Sequence, residues 1–163
     1  MSAGALSARR VLLVDDTPEI RMLVRRALER GGNLEVVAEA GDGAEGVDAA
    51  RAHRPDVVLL DIAMPVMDGL EALPLIREAL PDATVIMLSG FGAEQMVTKA
   101  LASGADGYIQ KGQPMRELVG RVHELMDGDA PSGGSGGSGP TGLLFAAWDG
   151  WVRTWGRPRL VLA

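Results

Sequence analysis

Short apolar runs of strand length alternate with longer stretches whose apolar side chains recur every three and four positions. The runs lie at residues 11–14, 35–38, 57–60, 85–88 and 107–110. The stretch with Ile20, Leu23 and Leu28 is typical of those between them and has the period of an amphipathic helix. Because near-continuous apolar strands that alternate with helices form parallel sheets covered on both faces, we predict an α/β domain. Its doubly wound, five-stranded parallel sheet is expected within residues 1–128.

Composition excludes several classes of protein. The 163 residues include no cysteine, so a disulfide, a thiolate metal site and a cysteine nucleophile are all excluded. No apolar run approaches the roughly 20 residues of a membrane span, and residues 1–10 lack the apolar stretch of a signal peptide. The net charge of −6 argues against nucleic-acid binding by this chain, which relies on clustered Lys and Arg. We expect a cytoplasmic protein that does not contact a membrane.

A change of composition divides the chain after residue 128. Residues 131–140 read PSGGSGGSGP, a flexible coil composition that resembles a laboratory linker. We predict that residues 129–140 are an engineered linker, which would raise the effective concentration of a fused partner peptide. A natural glycine-rich linker is the alternative. Residues 141–163 hold all three tryptophans and carry a net charge of +2, against −8 for residues 1–140.

The tail at residues 141–163 has helical spacing. Trp148, Trp151 and Trp155 recur at three and four positions and share one side of a helix. A hairpin about Asp149 and Gly150 is the alternative. Because three tryptophans are unfavourable in water, we expect this short C-terminal helix to dock on the preceding domain, in cis or in a domain-swapped dimer. Twenty-three residues are too few for a helix-turn-helix domain.

Polar side chains follow four of the five predicted strands. Asp15 and Asp16 end the first strand, Asp61 the third, Ser89 the fourth and Lys111 the fifth. The carboxyl ends of parallel strands meet at one edge of the sheet, where reactive groups of such folds lie. Crowded carboxylates repel one another unless a cation joins them, and oxygen ligands favour Mg2+. The sequence therefore predicts a magnesium site at this edge.

Four strings in the same order resemble the receiver domain of two-component response regulators. They are VLLVDD at residues 11–16, VVLLDIAMPVMDG at 57–69, VIMLSG at 85–90 and GYIQK at 107–111. The resemblance covers about residues 10–127 and implies the flavodoxin-like receiver fold. The run GYIQKGQP is similar to the branch whose members often carry a LuxR-type DNA-binding output. Gly112 stands where many receivers have proline, a departure that this branch often shows.

The resemblance assigns a role to each strand end. It implies that Asp61 accepts a phosphoryl group from a histidine kinase in the presence of Mg2+, so the chain is a signalling phosphoacceptor and not an enzyme for other substrates. The implied Mg2+ ligands are Asp15, Asp16, Asp61 itself and the carbonyl of Ala63. The other implied residues are the phosphoryl contacts Ser89 and Lys111 and the switch residues Ser89 and Tyr108. For Tyr108, an ordinary half-buried strand aromatic is the alternative.

Two further positions bear on the lifetime of the phosphoryl group. Residues two beyond Asp61 and Ser89 flank the site in this family, and here they are Ala63 and Phe91. Neither side chain can orient water, so the family resemblance predicts slow hydrolysis.

Two functions remain open. In the first, phosphorylation switches binding of the Trp-rich partner helix to the family's usual contact face, which residues 93–103, 107–110 and 114–126 would form. In the second, the chain is the regulatory half of a LuxR-type DNA-binding transcription factor whose output domain is missing from this chain.

Overall fold

The computed structural model describes residues 7–90 and 94–128. Its strands and helices alternate as β1 (Arg9–Val14), α1 (Pro18–Glu29), β2 (Leu34–Ala40), α2 (Gly43–His53), β3 (Val57–Asp61), α3 (Gly69–Ala79), β4 (Thr84–Ser89), α4 (Glu94–Ala102), β5 (Gly107–Gln110) and α5 (Met115–Asp127). The strands pair in parallel in the order β2-β1-β3-β4-β5. This confirms the predicted doubly wound sheet. The linker and the tail helix predicted for residues 129–163 lie outside the described residues.

The sheet separates two layers of core side chains. Alternate strand residues face opposite sides, so Leu12 and Leu60 pack with one cluster while Leu13 and Leu59 pack with the other. The first cluster includes α2, α3 and α4 side chains, and the second is formed with α1 and α5. Because the last four residues of β1 and all of β3 are buried, no polar side chain interrupts these segments before Asp15 and Asp61 at their carboxyl ends.

The beginnings of α1 and α2 differ in how they are capped. Thr17 precedes α1, and its side chain makes no capping hydrogen bond, while its N–H donates to Asp15 Oδ1 (2.9 Å). Asp42 caps α2 by accepting from the Glu45 N–H (2.9 Å).

The start of α3 is fixed by a capping box. Asp68 accepts from the Glu71 N–H (2.8 Å) and Glu71 accepts from the Asp68 N–H (3.1 Å). These two bonds set where the loop after β3 ends.

Within residues 7–90 and 94–128, no helix combines the length and apolar character needed to cross a bilayer.

Candidate functional site

The carboxylate at the end of β1 is held from several directions. Asp15 is fully buried, and its N–H donates to the carbonyl of Ala40 at the end of β2 (3.0 Å). Its Oδ1 accepts from the Thr17 N–H (2.9 Å). Asp16, the next residue, is exposed. One carboxylate is thus fixed by the protein interior, while its neighbour faces solvent beside it.

Asp61 lies at the end of β3 and is 3% exposed. The chain that follows it is tied to both sides, because the Ile62 N–H donates to the carbonyl of Leu88 (3.0 Å) and the Gly69 N–H donates to the carbonyl of Ile62 (2.8 Å). Gly69 approaches so closely that a Cβ atom there would lie 2.0 Å from the carbonyl oxygen of Asp61. Glycine at position 69 is therefore required by contact with Asp61 itself.

Lys111 joins the two buried carboxylates. Its Nζ lies 2.5 Å from Oδ2 of Asp15 and 3.0 Å from Oδ2 of Asp61. The backbone N–H of Lys111 donates to the carbonyl of Ser89 (2.7 Å), which aligns the ends of β4 and β5. The structure therefore brings together the acids and the lysine that the sequence placed at separate strand ends.

Burial and the contacts within this cluster leave two pKa values raised. Desolvation by burial raises the pKa of Asp61 and outweighs the opposing effect of the hydrogen bond and charge of Lys111. Burial lowers the pKa of Lys111, but its hydrogen bonds to Asp15 and Asp61 outweigh that effect and leave the pKa above its usual value. A raised pKa means that each group holds a proton more readily than usual, so the site favours additional positive charge. With all four groups charged, Asp15, Asp16, Asp61 and Lys111 carry a net charge of −2, which a divalent cation would neutralise.

The donor set suits a hard cation. One carboxylate oxygen from each of Asp15, Asp16 and Asp61 lies within 4.8 Å of the other two. Mg2+ binds carboxylate oxygens and retains several water ligands, so its site needs a side that faces solvent. The three carboxylates therefore fit a Mg2+ ion, with Asp16 on the exposed side.

The remaining predicted site residues surround this cluster. Ser89 is buried at the end of β4, and Ala63 is exposed in the loop after β3. Tyr108 is half-buried in β5 and packs against the core cluster beside α3 and α4. Its hydroxyl has no hydrogen-bond partner within the described parts of the chain. Phe91 lies outside the described residues.

Sequence reasoning missed two neighbours of the site. Arg21 in α1 donates from Nη1 to the backbone carbonyl of Asp15 (2.6 Å), and periodicity alone shows only that it lies on the polar side of that helix. Gly69, the first residue of α3, was not singled out as a site residue from the sequence either. Its position directly before an amphipathic helix was the available signal for a helix start.

Together, these features define a doubly wound α/β domain with an acidic pocket at the carboxyl edge of its parallel sheet. Residues 11–123 match the family model of the response regulator receiver domain, and the chain belongs to this family. It is therefore a receiver domain of two-component response regulators. Receiver domains bind Mg2+ at an acidic pocket, and the described residues contain such a cluster.

Individual relatives agree with this assignment. The chain is 43% identical over 119 residues to the chemotaxis protein CheY of Halobacterium salinarum, an alignment that covers 73% of this chain and 98% of that protein. It is 35% identical over 119 residues to the nitrate/nitrite response regulator protein NarL of Escherichia coli, covering 73% of this chain and 55% of NarL. The signal receiver domain of a NarL response regulator from Mycobacterium tuberculosis superposes with a TM-score of 0.70 at 38% identity, covering 74% of this chain and 98% of that one.

Proposed function

We propose that Asp61 accepts a phosphoryl group from a histidine kinase or a small phosphodonor, with Mg2+ bound by Asp15, Asp16, Asp61 and the carbonyl of Ala63. The observation that carries the proposal is the contact of the buried Asp61 carboxylate with Lys111 Nζ (3.0 Å) inside the three-acid cluster. Mg2+ would neutralise charge on the transferring phosphoryl oxygens.

Asp61, Lys111 and Ser89 each have a separate role in phosphoryl transfer. A carboxylate oxygen of Asp61 attacks phosphorus in line, so that a new P–O bond forms as the bond to the donor breaks. Lys111 supplies a fixed positive charge for a phosphoryl oxygen, and the hydroxyl of Ser89 donates a hydrogen bond to another. Asp61 and Lys111 are in contact before the donor arrives, so these two groups need little reorganisation during transfer.

Intact-mass spectrometry tests the phosphoacceptor. After treatment with a small phosphodonor and Mg2+, we expect one added phosphate on the wild type and none on Asp61→Ala. Asp42→Ala, which removes a surface carboxylate at a helix cap, is the matched control and should be labelled as the wild type is. Equal labelling of Asp61→Ala would exclude this assignment.

We also propose that the phosphoryl group is long-lived. Ala63 is exposed beside the site, and its methyl group offers no hydrogen bond to an attacking water. Ala63→Asn and Phe91→Glu each introduce a polar group, and we expect faster decay of the phosphorylated protein in both. Unchanged decay in both variants would contradict this idea.

For the output, we propose that phosphorylation changes docking of the tail on the face formed by α4, β5 and α5. Movement of Ser89 toward the phosphoryl group would allow Tyr108 to turn, and since its buried hydroxyl has no hydrogen-bond partner among the described residues, turning breaks no bond of that kind. Met96 of α4 is 41% exposed and offers an apolar contact on this face. Residues 1–128 would form the receiver, 129–140 an engineered linker and 141–163 the docking helix.

Tryptophan fluorescence tests docking, because Trp148, Trp151 and Trp155 are all in the tail. We expect a blue-shifted emission that changes with a phosphoryl mimic and that moves toward the solvated value in Met96→Asp. Leu23→Asp, at a residue that is 46% exposed on α1, is the control and should leave the emission unchanged. Fully solvated emission in every state would exclude docking.

A DNA-binding regulator is the second candidate. It is favoured by the likeness to NarL, of which this chain spans about half, 55%, and by the GYIQKGQP run, which is similar to the LuxR-type branch. An electrophoretic mobility shift with the parent protein separates the two functions, because only the second predicts a specific DNA complex.

A further inference from the structure

Arg21 contacts the backbone of the acidic cluster and not its carboxylates. Its Nη1 donates to the carbonyl oxygen of Asp15 (2.6 Å), and its Nε lies 3.5 Å from Oε2 of Glu39. The side chain is 19% exposed. A cation near the beginning of α1 is disfavoured by the helix dipole. The hydrogen bond to the Asp15 carbonyl and the charge of Glu39 offset this effect, while the buried Nε has no hydrogen-bond partner among the described residues.

The hydrogen bond from Arg21 completes the restraint of Asp15. The other polar atoms of Asp15 are held by the carbonyl of Ala40, the N–H of Thr17 and the Nζ of Lys111. The carbonyl that Arg21 holds belongs to the peptide group that leads into Asp16. Asp16 is exposed, and its Oδ1 accepts a long hydrogen bond from the Thr17 hydroxyl (3.5 Å). The direction of its carboxylate therefore depends on that peptide plane together with this one contact.

We propose that Arg21 is a positioning residue for the Mg2+ site, which orients Asp16 through the Asp15 carbonyl. This inference rests on the proposed function, because it requires that Asp15 and Asp16 bind Mg2+. Partners that orient the ligands of a metal typically contribute 10–100-fold to its affinity.

Arg21→Met tests the inference because its two effects have opposite signs. Loss of a positive charge near the site strengthens Mg2+ binding, whereas loss of the hydrogen bond to the carbonyl frees the Asp15–Asp16 peptide and weakens it. We expect a dissociation constant for Mg2+ at least about tenfold higher than that of the wild type. Arg25→Met is the matched control. Arg25 pairs with the same Glu39 (3.3 Å) but is 48% exposed, and its loss should leave the affinity unchanged or slightly stronger.

Two readouts separate positioning from a general loss of structure. Calorimetric titration of the full chain with Mg2+ alone gives the affinity, and the rise of urea-unfolding free energy with Mg2+ concentration gives it independently. In phosphorylation by a small donor, Arg21→Met should raise the Mg2+ concentration for half-maximal rate by the same factor and lower the maximal rate much less. Arg21→Lys keeps the positive charge, and we expect this variant also to bind Mg2+ more weakly than the wild type. It replaces Arg21→Met as the test if Arg21→Met fails to fold.

The outcomes distinguish this inference from the proposed function. If the wild type binds no Mg2+, both fail. If the wild type binds and Arg21→Met binds equally well or more tightly, only the role of Arg21 is overturned. Equal weakening in Arg25→Met would also overturn it, since the shared ion pair with Glu39 would then be responsible. A fall in maximal rate at unchanged half-saturation would assign Arg21 to another step.

Discussion

Replacing Gly69 with alanine perturbs the candidate phosphoacceptor through its backbone alone. The added methyl carbon would lie 2.0 Å from the carbonyl oxygen and 2.9 Å from the carbonyl carbon of Asp61. Gly69 does not adopt a positive φ angle, so alanine has no intrinsic conformational penalty there. The effect of Gly69→Ala is therefore one of contact.

The size of the displacement follows from these distances. Ordinary van der Waals contact begins at 3.4 Å, so the oxygen and the methyl carbon must separate by about 1.4 Å, most of a bond length. The oxygen is a backbone atom and the methyl carbon is bonded directly to the backbone at Cα, so no rotamer can absorb the change. The capping box of Asp68 and Glu71 holds α3 on one side, and β3 is paired to two strands on the other. Overpacking of this kind costs about 1–3 kcal/mol, and a shift near 1 Å in a reacting group reduces rates up to about 100-fold.

Urea unfolding and the rate of phosphorylation by a small donor measure the two effects. We expect Gly69→Ala to lower the free energy of unfolding by about 1–3 kcal/mol and to slow phosphorylation at saturating Mg2+ by roughly 10–100-fold. Gly120→Ala is the control, because Gly120 lies exposed in α5 with nothing within 4 Å of the added atom. That variant should be more stable by up to about 1 kcal/mol, since alanine is the better helix former. Wild-type stability and rate in Gly69→Ala would refute the argument.

Substitutions at three positions test other parts of the structure. Val66 has a φ angle of 69°, and the Met67 N–H donates across it to the carbonyl of Pro65 (2.8 Å), which is the geometry of a strained γ-turn. Val66→Gly should therefore raise the free energy of unfolding by about 1 kcal/mol, and Val66→Ala should raise it by less. Because the pKa of Asp61 is raised in the folded protein, its ionisation costs stability as pH rises from the unfolded value through the folded one. In Mg2+-free buffer, Asp61→Asn should therefore be more stable than the wild type at pH 7 but not at pH 3, and the opposite order would contradict the pKa shift. Arg77 donates to the carbonyls of Ala83 (2.6 Å) and Gly104 (2.7 Å), so Arg77→Met should lose roughly 2–3 kcal/mol in urea unfolding, and an unchanged midpoint would refute this.

The sheet could be predicted because each strand is set by local sequence. Residues 57–60 are apolar without interruption and are buried on both faces in β3, as a parallel strand between helices must be. α2 was harder to predict, because its beginning depends on a side-chain cap at Asp42 and on small residues. Gly46 lies where a Cβ atom would meet Val14 of β1 at 2.9 Å. Glycine is required at this position by packing between distant segments of the chain, which produces no periodic pattern in the sequence.

In the site as well, the residues that end strands could be predicted, whereas a residue that positions one of them could not. Asp15, Asp61 and Lys111 were predictable because parallel topology alone brings the carboxyl ends of their strands to one edge. The hydrogen bond from Arg21 depends instead on how α1 crosses the end of β1, a tertiary relation that a pattern of apolar positions does not encode. In the sequence Arg21 is one of several arginines on a helix, and its neighbour Arg25 has a similar pattern but an exposed side chain. Burial and the hydrogen bond to the Asp15 carbonyl distinguish Arg21 from Arg25, while both arginines pair with Glu39, and this is why the two make a matched test.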